Sequence, residues 1–518
     1  MSPPEEHTKM KPGQHNGPTE HAAMTAEKHA EMASRGVTRP QMDMGDGHGE
    51  MTPDMRQEMH QQHHRQTLWV YLLVLLLGAW LISSPFTLGH TYAGNFGEGM
   101  ARVTAERELL PPVLRGTLML WSDLISGILL MLLGLLSLQA RRLWAPWAAC
   151  LVGVWLLFAP LVFWAPTAAA YTNDTLVGAL VIALTILLPD MPGMLLIMQS
   201  GPEIPPGWSY NPSAWLQRAP IIALGWLGFF LSRYLAAYQL GYIDSAWDPF
   251  FGLGTRQILD SDVSRAWPIS DAGLGAVAYL IEALMGYMGD TQRWRTMPWM
   301  VTFFGILVVP LGIVSITLVI LQPVAVGTWC TLCLITALAM LIMIPLTLDE
   351  VIAMGQFLIK RTHAGEPFWQ VFWKGGTVEG GQKDKRSPQF TAPLRQSFPA
   401  MVWGVNLPWN LLLSAGLGVW LMASPAVFGS QGTAADSGHL AGALVVTVAA
   451  IAMAEVARAL RLVNVPLGVW FILAPWLLDG ATTGSTWNNV VIGVLLILLS
   501  LPRGKVQEQY GGWKRYIA

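Results

Sequence analysis

The sequence predicts an all-α polytopic membrane protein of about twelve transmembrane helices, a central group of four flanked by two four-helix repeat units. Three observations predict it. The chain is 53% hydrophobic and only 12% charged, against about 25% charged in an ordinary soluble domain. Its charges crowd into the first 67 residues, the short loops and a linker near 360–400. The apolar runs between them are roughly 20 residues long, the length that crosses about 30 Å of hydrocarbon. Net charge is −2 with no basic stripe, which argues against a nucleic-acid partner. A long polar segment precedes the first apolar run, so that run is expected to be an uncleaved span and not a signal peptide.

Taken in order, the expected spans are 68–88, 116–138, 145–164, 174–195, 219–240, 271–289, 298–321, 327–348, 404–424, 438–457, 465–478 and 487–501. Basic residues set the orientation. Arg141 and Arg142, Arg293 and Arg295, Lys360 and Arg361, Arg458 and Arg461, and the group Arg503, Lys505, Lys514 and Arg515 all fall on one side. That side is expected to be cytoplasmic, with both termini there, in a bacterial inner (plasma) membrane. The loop 89–115 departs from this pattern, with Arg102, Arg107 and Arg115 on the outer side.

A repeat occurs at both ends of the chain. Gly78-Ala79-Trp80, Gly153-Val154-Trp155, Gly418-Val419-Trp420 and Gly468-Val469-Trp470 are each followed by a small residue and Pro: Ser84-Pro85, Ala159-Pro160, Ser424-Pro425 and Ala474-Pro475. In the next span a small polar residue precedes a glycine by five, as in Ser122/Gly127, Asn173/Gly178, Ser437/Gly442 and Asn488/Gly493. The glycines suit close helix approach. The polar residues are expected to cap the second helix, and the Trp is left without a role. The pattern resembles the SPW repeat family over roughly 78–189 and 418–502, although only Ala474-Pro475-Trp476 keeps Pro-Trp. The resemblance implies a four-span unit of two hairpins and no established activity.

The resulting layout is a His/Met-rich cytoplasmic tail (1–67) expected to be disordered, repeat units at 68–200 and 403–502, a middle segment at 215–360, a cytoplasmic linker at 361–402 and a C-terminal tail at 503–518. The first tail holds eight of the eleven histidines and nine of the 25 methionines. Imidazole and thioether groups suit copper, which makes His48, His60, His63 and His64 weak candidate ligands. A solvating tail is the competing reading, and no firm metal site follows.

Two of the three cysteines form Cys330-Thr331-Leu332-Cys333 at the outer end of a span. A helix N-terminus favours thiolate there. Two cysteines alone do not complete a zinc site, and a buried inert thiol pair is the bland alternative. Trp329 with this motif, the four middle spans and the loop from Gln257 to Ser264 through Pro268-Ile269-Ser270 resemble the vitamin K epoxide reductase family over about 220–360.

That resemblance implies a four-helix bundle binding a quinone beside the motif, with Ser261 or Ser264 as the supporting loop serine and Ser261 better spaced. It implies electron transfer between the dithiol and the quinone, with Cys333 meeting the quinone and Cys330 closing the disulfide. Members usually carry a second cysteine pair in the loop; Thr255 stands at one of those places. Eukaryotic members place a quinone-contacting Tyr where Ala337 stands. A thioredoxin-like protein or a small thiol is therefore expected to reach Cys330 directly from the outer side.

Within the spans, Arg233 and Glu282 are expected either to pair or, for Arg233, to snorkel to the outer headgroups. Three functions follow from the residues: a quinone-linked thiol–disulfide oxidoreductase, a non-catalytic membrane scaffold, and metal handling through the tail.

Overall fold

The computed structural model describes residues 53–189 and 201–517. Among these, the chain is helical, with three isolated β-bridges and no strand. The principal helices are α1 (Pro53–Gln66), α2 (Leu68–Thr87), α3 (Pro112–Ser137), α4 (Trp144–Val162) and α5 (Ala168–Leu187). The middle of the chain forms α6 (Trp215–Gln239), α7 (Asp271–Tyr287), α8 (Pro298–Ala325) and α9 (Thr331–His363). The last four are α10 (Trp409–Phe428), α11 (Gly432–Ile451), α12 (Glu455–Leu477) and α13 (Thr483–Ser500).

Eleven helices among the described residues are long and apolar enough to cross a membrane, so this is a multi-pass membrane protein. The expected sixth span is α7, which at 17 residues is shorter than the rest. Ser270 starts it by accepting a bond from Gly273 N (2.9 Å), and the chain turns extended at Met288. The eighth expected span is longer than its apolar run: α9 has 33 residues and continues to His363.

The repeats have a geometric basis. In each hairpin a Cβ built on the first glycine would lie 2.6–2.9 Å from the carbonyl oxygen of the second, at Gly78/Gly127, Gly153/Gly178, Gly418/Gly442 and Gly468/Gly493. Only a hydrogen fits there, so the glycines set the hairpin spacing. The small polar residues are not caps, contrary to expectation. Each lies inside its helix and accepts a hydrogen bond from a Trp indole of the other hairpin: Trp80 to Asn173 (2.8 Å), Trp155 to Ser122 (3.0 Å), Trp420 to Asn488 (2.9 Å) and Trp470 to Ser437 (2.9 Å). An indole in an apolar medium needs an acceptor, and the opposite hairpin supplies it. The repeated spacing of Trp thus ties two hairpins into one unit. Thr167 and Thr482 do the capping, at α5 and α13.

Residues 53–66 form α1, so that part of the tail is not disordered as expected. Its histidines bond to backbone carbonyls just beyond span ends: His60 to Ala140 (3.3 Å), His63 to Pro189 (2.9 Å) and His64 to Leu138 (3.2 Å). Carbonyls at helix C-termini lack intrahelical donors, and these imidazoles supply them. No group of His, Cys, Asp and Glu suited to a metal occurs among the described residues. His48 lies outside them.

Candidate redox site

Cys330 is the N-cap of α9, and the motif closes as a disulfide with its Cα atoms 5.2 Å apart. The Cys330 sulfur accepts a bond from Cys333 N (3.1 Å), and Cys330 N donates to Gln322 Oε1 of α8 (3.0 Å). The third cysteine, Cys150 in α4, is free.

The first turn of α9 is tied to the loop between α6 and α7 by Asp248. Its carboxylate accepts from Thr331 Oγ1 (2.5 Å) and Thr331 N (3.3 Å), from Thr255 Oγ1 (2.7 Å) and Thr255 N (3.2 Å), and from Phe250 N and Phe251 N. Burial works against its charge, but the bonds led by Thr331 outweigh it and hold the pKa well below the usual carboxylate range. Gly254 sits against the Trp329 carbonyl so closely that any Cβ would collide with it. The position where a loop cysteine was sought therefore carries a buried threonine that helps to fasten the loop over the motif.

This loop covers Cys330 completely. The residue is 0% exposed, packed among Leu235, Ala246, Ile258 and Leu259. The expected direct access of a partner thiol to Cys330 does not exist in this conformation. Cys333, in contrast, lines a cavity of about 130 Å³ between α6, α7, α8 and α9. Tyr279, Thr336, Ser261 and Ser264 also line it, beside an apolar wall that includes Leu318 and Val319. The Tyr279 hydroxyl donates to Thr336 O (2.8 Å).

The two candidate serines both reach this cavity but differ in role. Ser261 caps the short helix Asp262–Arg265 and donates to Ile258 O (2.7 Å). Ser264 is buried in a network that the sequence did not disclose. It donates to Asp271 Oδ1 (3.0 Å) and accepts from Gln239 Nε2 (2.7 Å) and Arg107 (3.3 Å). Arg102 adds a contact to Asp260 (3.3 Å), and Arg115 donates to Trp164 O (2.9 Å) and Thr104 Oγ1 (2.8 Å). The three arginines of 89–115 that broke the charge pattern are thus engaged within the fold: Arg102 and Arg107 hold the loop between α6 and α7, and Arg115 braces their own segment.

The Arg233–Glu282 pair does not form. Arg233 donates to Thr172 Oγ1 (2.7 Å) and lies over the Tyr171 ring at 4.9 Å. Glu282 is fully buried with neither oxygen hydrogen-bonded. The two residues share a hairpin, but a nearer polar group on α5 takes the guanidinium.

Signals for the missed residues were present. Asp248-Pro249 is a turn dipeptide, and an Asp at such a turn bonds backbone N–H groups two or three residues on. Ser270 stands directly before an apolar run. His439 gave no signal. It reaches from α11 to Ile320 O (3.0 Å) and meets the Trp329 ring edge-on at 5.0 Å, which only the assembled fold brings together.

No curated protein and no solved structure matches the chain. Residues 219–348 match the model of the vitamin K epoxide reductase family, and residues 109–188 and 408–502 match the SPW repeat domain, so a segment similar to the first lies between two segments similar to the second.

Proposed function

We propose that this protein is a quinone-linked thiol–disulfide oxidoreductase of the bacterial inner (plasma) membrane, with both termini cytoplasmic and the Cys330–Cys333 motif at the outer face. The middle segment, 215–360, is the catalytic unit; 68–200 and 403–502 frame it. The family match supports membrane thiol–disulfide chemistry. The observation that carries the quinone reading is Cys333 on the wall of a cavity that also presents a phenol, Tyr279, and two loop serines. At about 130 Å³ the cavity is close in size to one of about 150 Å³ that takes a benzene ring, comparable to a single quinone ring. A packed bundle with no such space would have favoured a scaffold.

In the proposed reaction, the reduced pair gives two electrons and two protons to the quinone. Cys333 attacks or donates to the ring, Cys330 closes the disulfide on Cys333, and hydroquinone leaves. The disulfide is reopened by two substrate thiols, a dithiol of a thioredoxin-like protein or two small thiols in turn: the first forms a mixed disulfide with the pair, the second releases it, and the substrate leaves as its own disulfide. That exchange requires the loop carrying Asp248 to lift from Cys330. Tyr279, which lines the same cavity, takes the place of the phenol absent at Ala337.

The test uses the purified protein in vesicles with a soluble ubiquinone analogue and a small dithiol, reading hydroquinone formation. Cys330→Ser with Cys333→Ser should abolish the rate above the uncatalysed background. A double variant that retains the wild-type rate would refute the reading.

A further inference from the structure

The two flanking units share one plan, and their alignment through the Trp-accepting residues makes each a control for the other. Ser122 corresponds to Ser437 and Asn173 to Asn488. The next residue in each helix is then Asp123 against Gly438, and Asp174 against Asn489. Only the N-terminal unit places carboxyl groups there.

Both aspartates are 0% exposed, and their carboxyl groups are close neighbours. Asn173 donates to Asp174 Oδ1 (3.3 Å) and to Ser84 Oγ (3.2 Å). Neither Asp123 oxygen, nor Oδ2 of Asp174, has a donor from the rest of the chain. His90 aims into the same place. It is 0% exposed, neither ring nitrogen has a hydrogen-bond partner, and Nδ1 lies 3.3 Å from Asp123 Oδ2. Burial pushes its imidazole down to about 4, so His90 is neutral and does not neutralise the acids. The other charged or titratable groups nearby are engaged elsewhere. Arg115 serves Trp164 and Thr104, Arg233 serves Thr172 and the Tyr171 ring, and Tyr242 donates to Ala165 O (2.7 Å). In the C-terminal unit, Gly438 and Asn489 line a small void of about 10 Å³ at the corresponding place.

Two carboxylates in contact, taken from water and without a cation, cannot both stay charged. We propose that Asp123 and Asp174 form a proton-binding site of the N-terminal unit, one proton held between the two carboxyl groups with neutral His90 as the neighbouring acceptor. The ligand is the proton itself. The site is independent of the redox reading and holds whether or not the cysteines turn over.

The test is dicyclohexylcarbodiimide labelling of the full-length protein in vesicles, read by peptide mass. This reagent adds to protonated carboxyls in apolar surroundings. An adduct on Asp123 or Asp174 is expected, lost in Asp123→Asn with Asp174→Asn. Asp174→Asn alone reproduces what the C-terminal unit already carries, so the fold should tolerate it. Glu282, also buried and without a partner, reports that the reagent has entered. Labelling of Glu282 without the aspartates would overturn the proposal. An infrared band from a protonated carboxyl should disappear in Asp123→Asn; no difference from wild type would overturn the proposal independently. Protection by sodium at constant pH would reassign the site to a metal cation.

Discussion

At its N-terminal end α9 begins on Cys330 and is held by one partly exposed carboxylate, Asp248, by the Gln322 amide and by the edge of His439 against Trp329. Toward its C-terminal end, Glu350 receives a two-pronged bond from Arg293 (2.6 Å to each oxygen) and a third from Ser213 (2.5 Å). Beside it Asp349 accepts from Tyr210 (2.5 Å), which packs on Tyr510; Tyr510 in turn donates to Glu455 (2.8 Å). The bonds toward the C-terminal end are buried and join the core to α12 and the C-terminal tail. Those at the N-terminal end come from a loop, from α8 and from α11, and can break without exposing a buried charge. One helix is therefore clamped at the end that only supports it and lightly latched at the end that carries the cysteines. An exchange reaction at Cys330 requires that asymmetry.

The largest expected effect is at the clamp. Glu350→Ala leaves the Arg293 guanidinium, itself 0% exposed, without a counter-charge. Removing one partner of a buried pair costs about 3–5 kcal/mol. The variant should show a large fall in melting temperature in detergent, with correspondingly little folded protein recovered. A melting temperature like that of wild type would show that this end is not the clamp.

A smaller effect is expected at the latch. Asp248→Ala removes a carboxylate that acts as a cap for α9, worth about 1–2 kcal/mol. Global melting should move much less than in Glu350→Ala, while in the reduced protein Cys330 should react several-fold faster with a maleimide. The pH sign follows from the depressed pKa of Asp248. Its stabilising contribution is complete above its unfolded value of about 4 and is lost as pH falls through the lower folded value. Latch strength should therefore be constant from mildly acidic to alkaline pH. Loosening near pH 7, read as a change in Cys330 reactivity corrected for thiol ionisation, would contradict this assignment.

Much of this architecture is legible in the sequence because it follows from local physics. Apolar run length marks the spans, and Gly spacing marks the tight hairpins. Cys330 and Cys333 are visible as a pair because both lie in one turn of one helix. The Trp role is not visible, since each indole bonds to a residue 33 to 93 positions away. Arg293 and Arg295 read as loop charges but are fully buried, one on Glu350 and the other on the carbonyls of Pro202 and Gly376. Charge patterning carries no information on depth. The burial of Cys330 is likewise a property of loop closure: Asp248, Thr255 and Gly254 carry it together, and none of them signals it alone.

The smallest effect separates the latch's own bonds from the flanking unit's part in it. His439 is contributed by α11, in the C-terminal repeat unit, yet it meets the Trp329 ring beside the cysteines. An aromatic edge contact of this kind is worth about 0.5–1.5 kcal/mol, less than the Asp248 cap. His439→Ala should leave the melting temperature nearly unchanged and raise Cys330 reactivity by a few-fold, below the Asp248→Ala effect. The two contacts meet Trp329 and Thr331, the residues on either side of Cys330, so they should not add independently. In the double variant the reactivity gain should differ from the product of the single gains. Strict multiplicativity would mean that α11 acts on Cys330 by a route other than this latch.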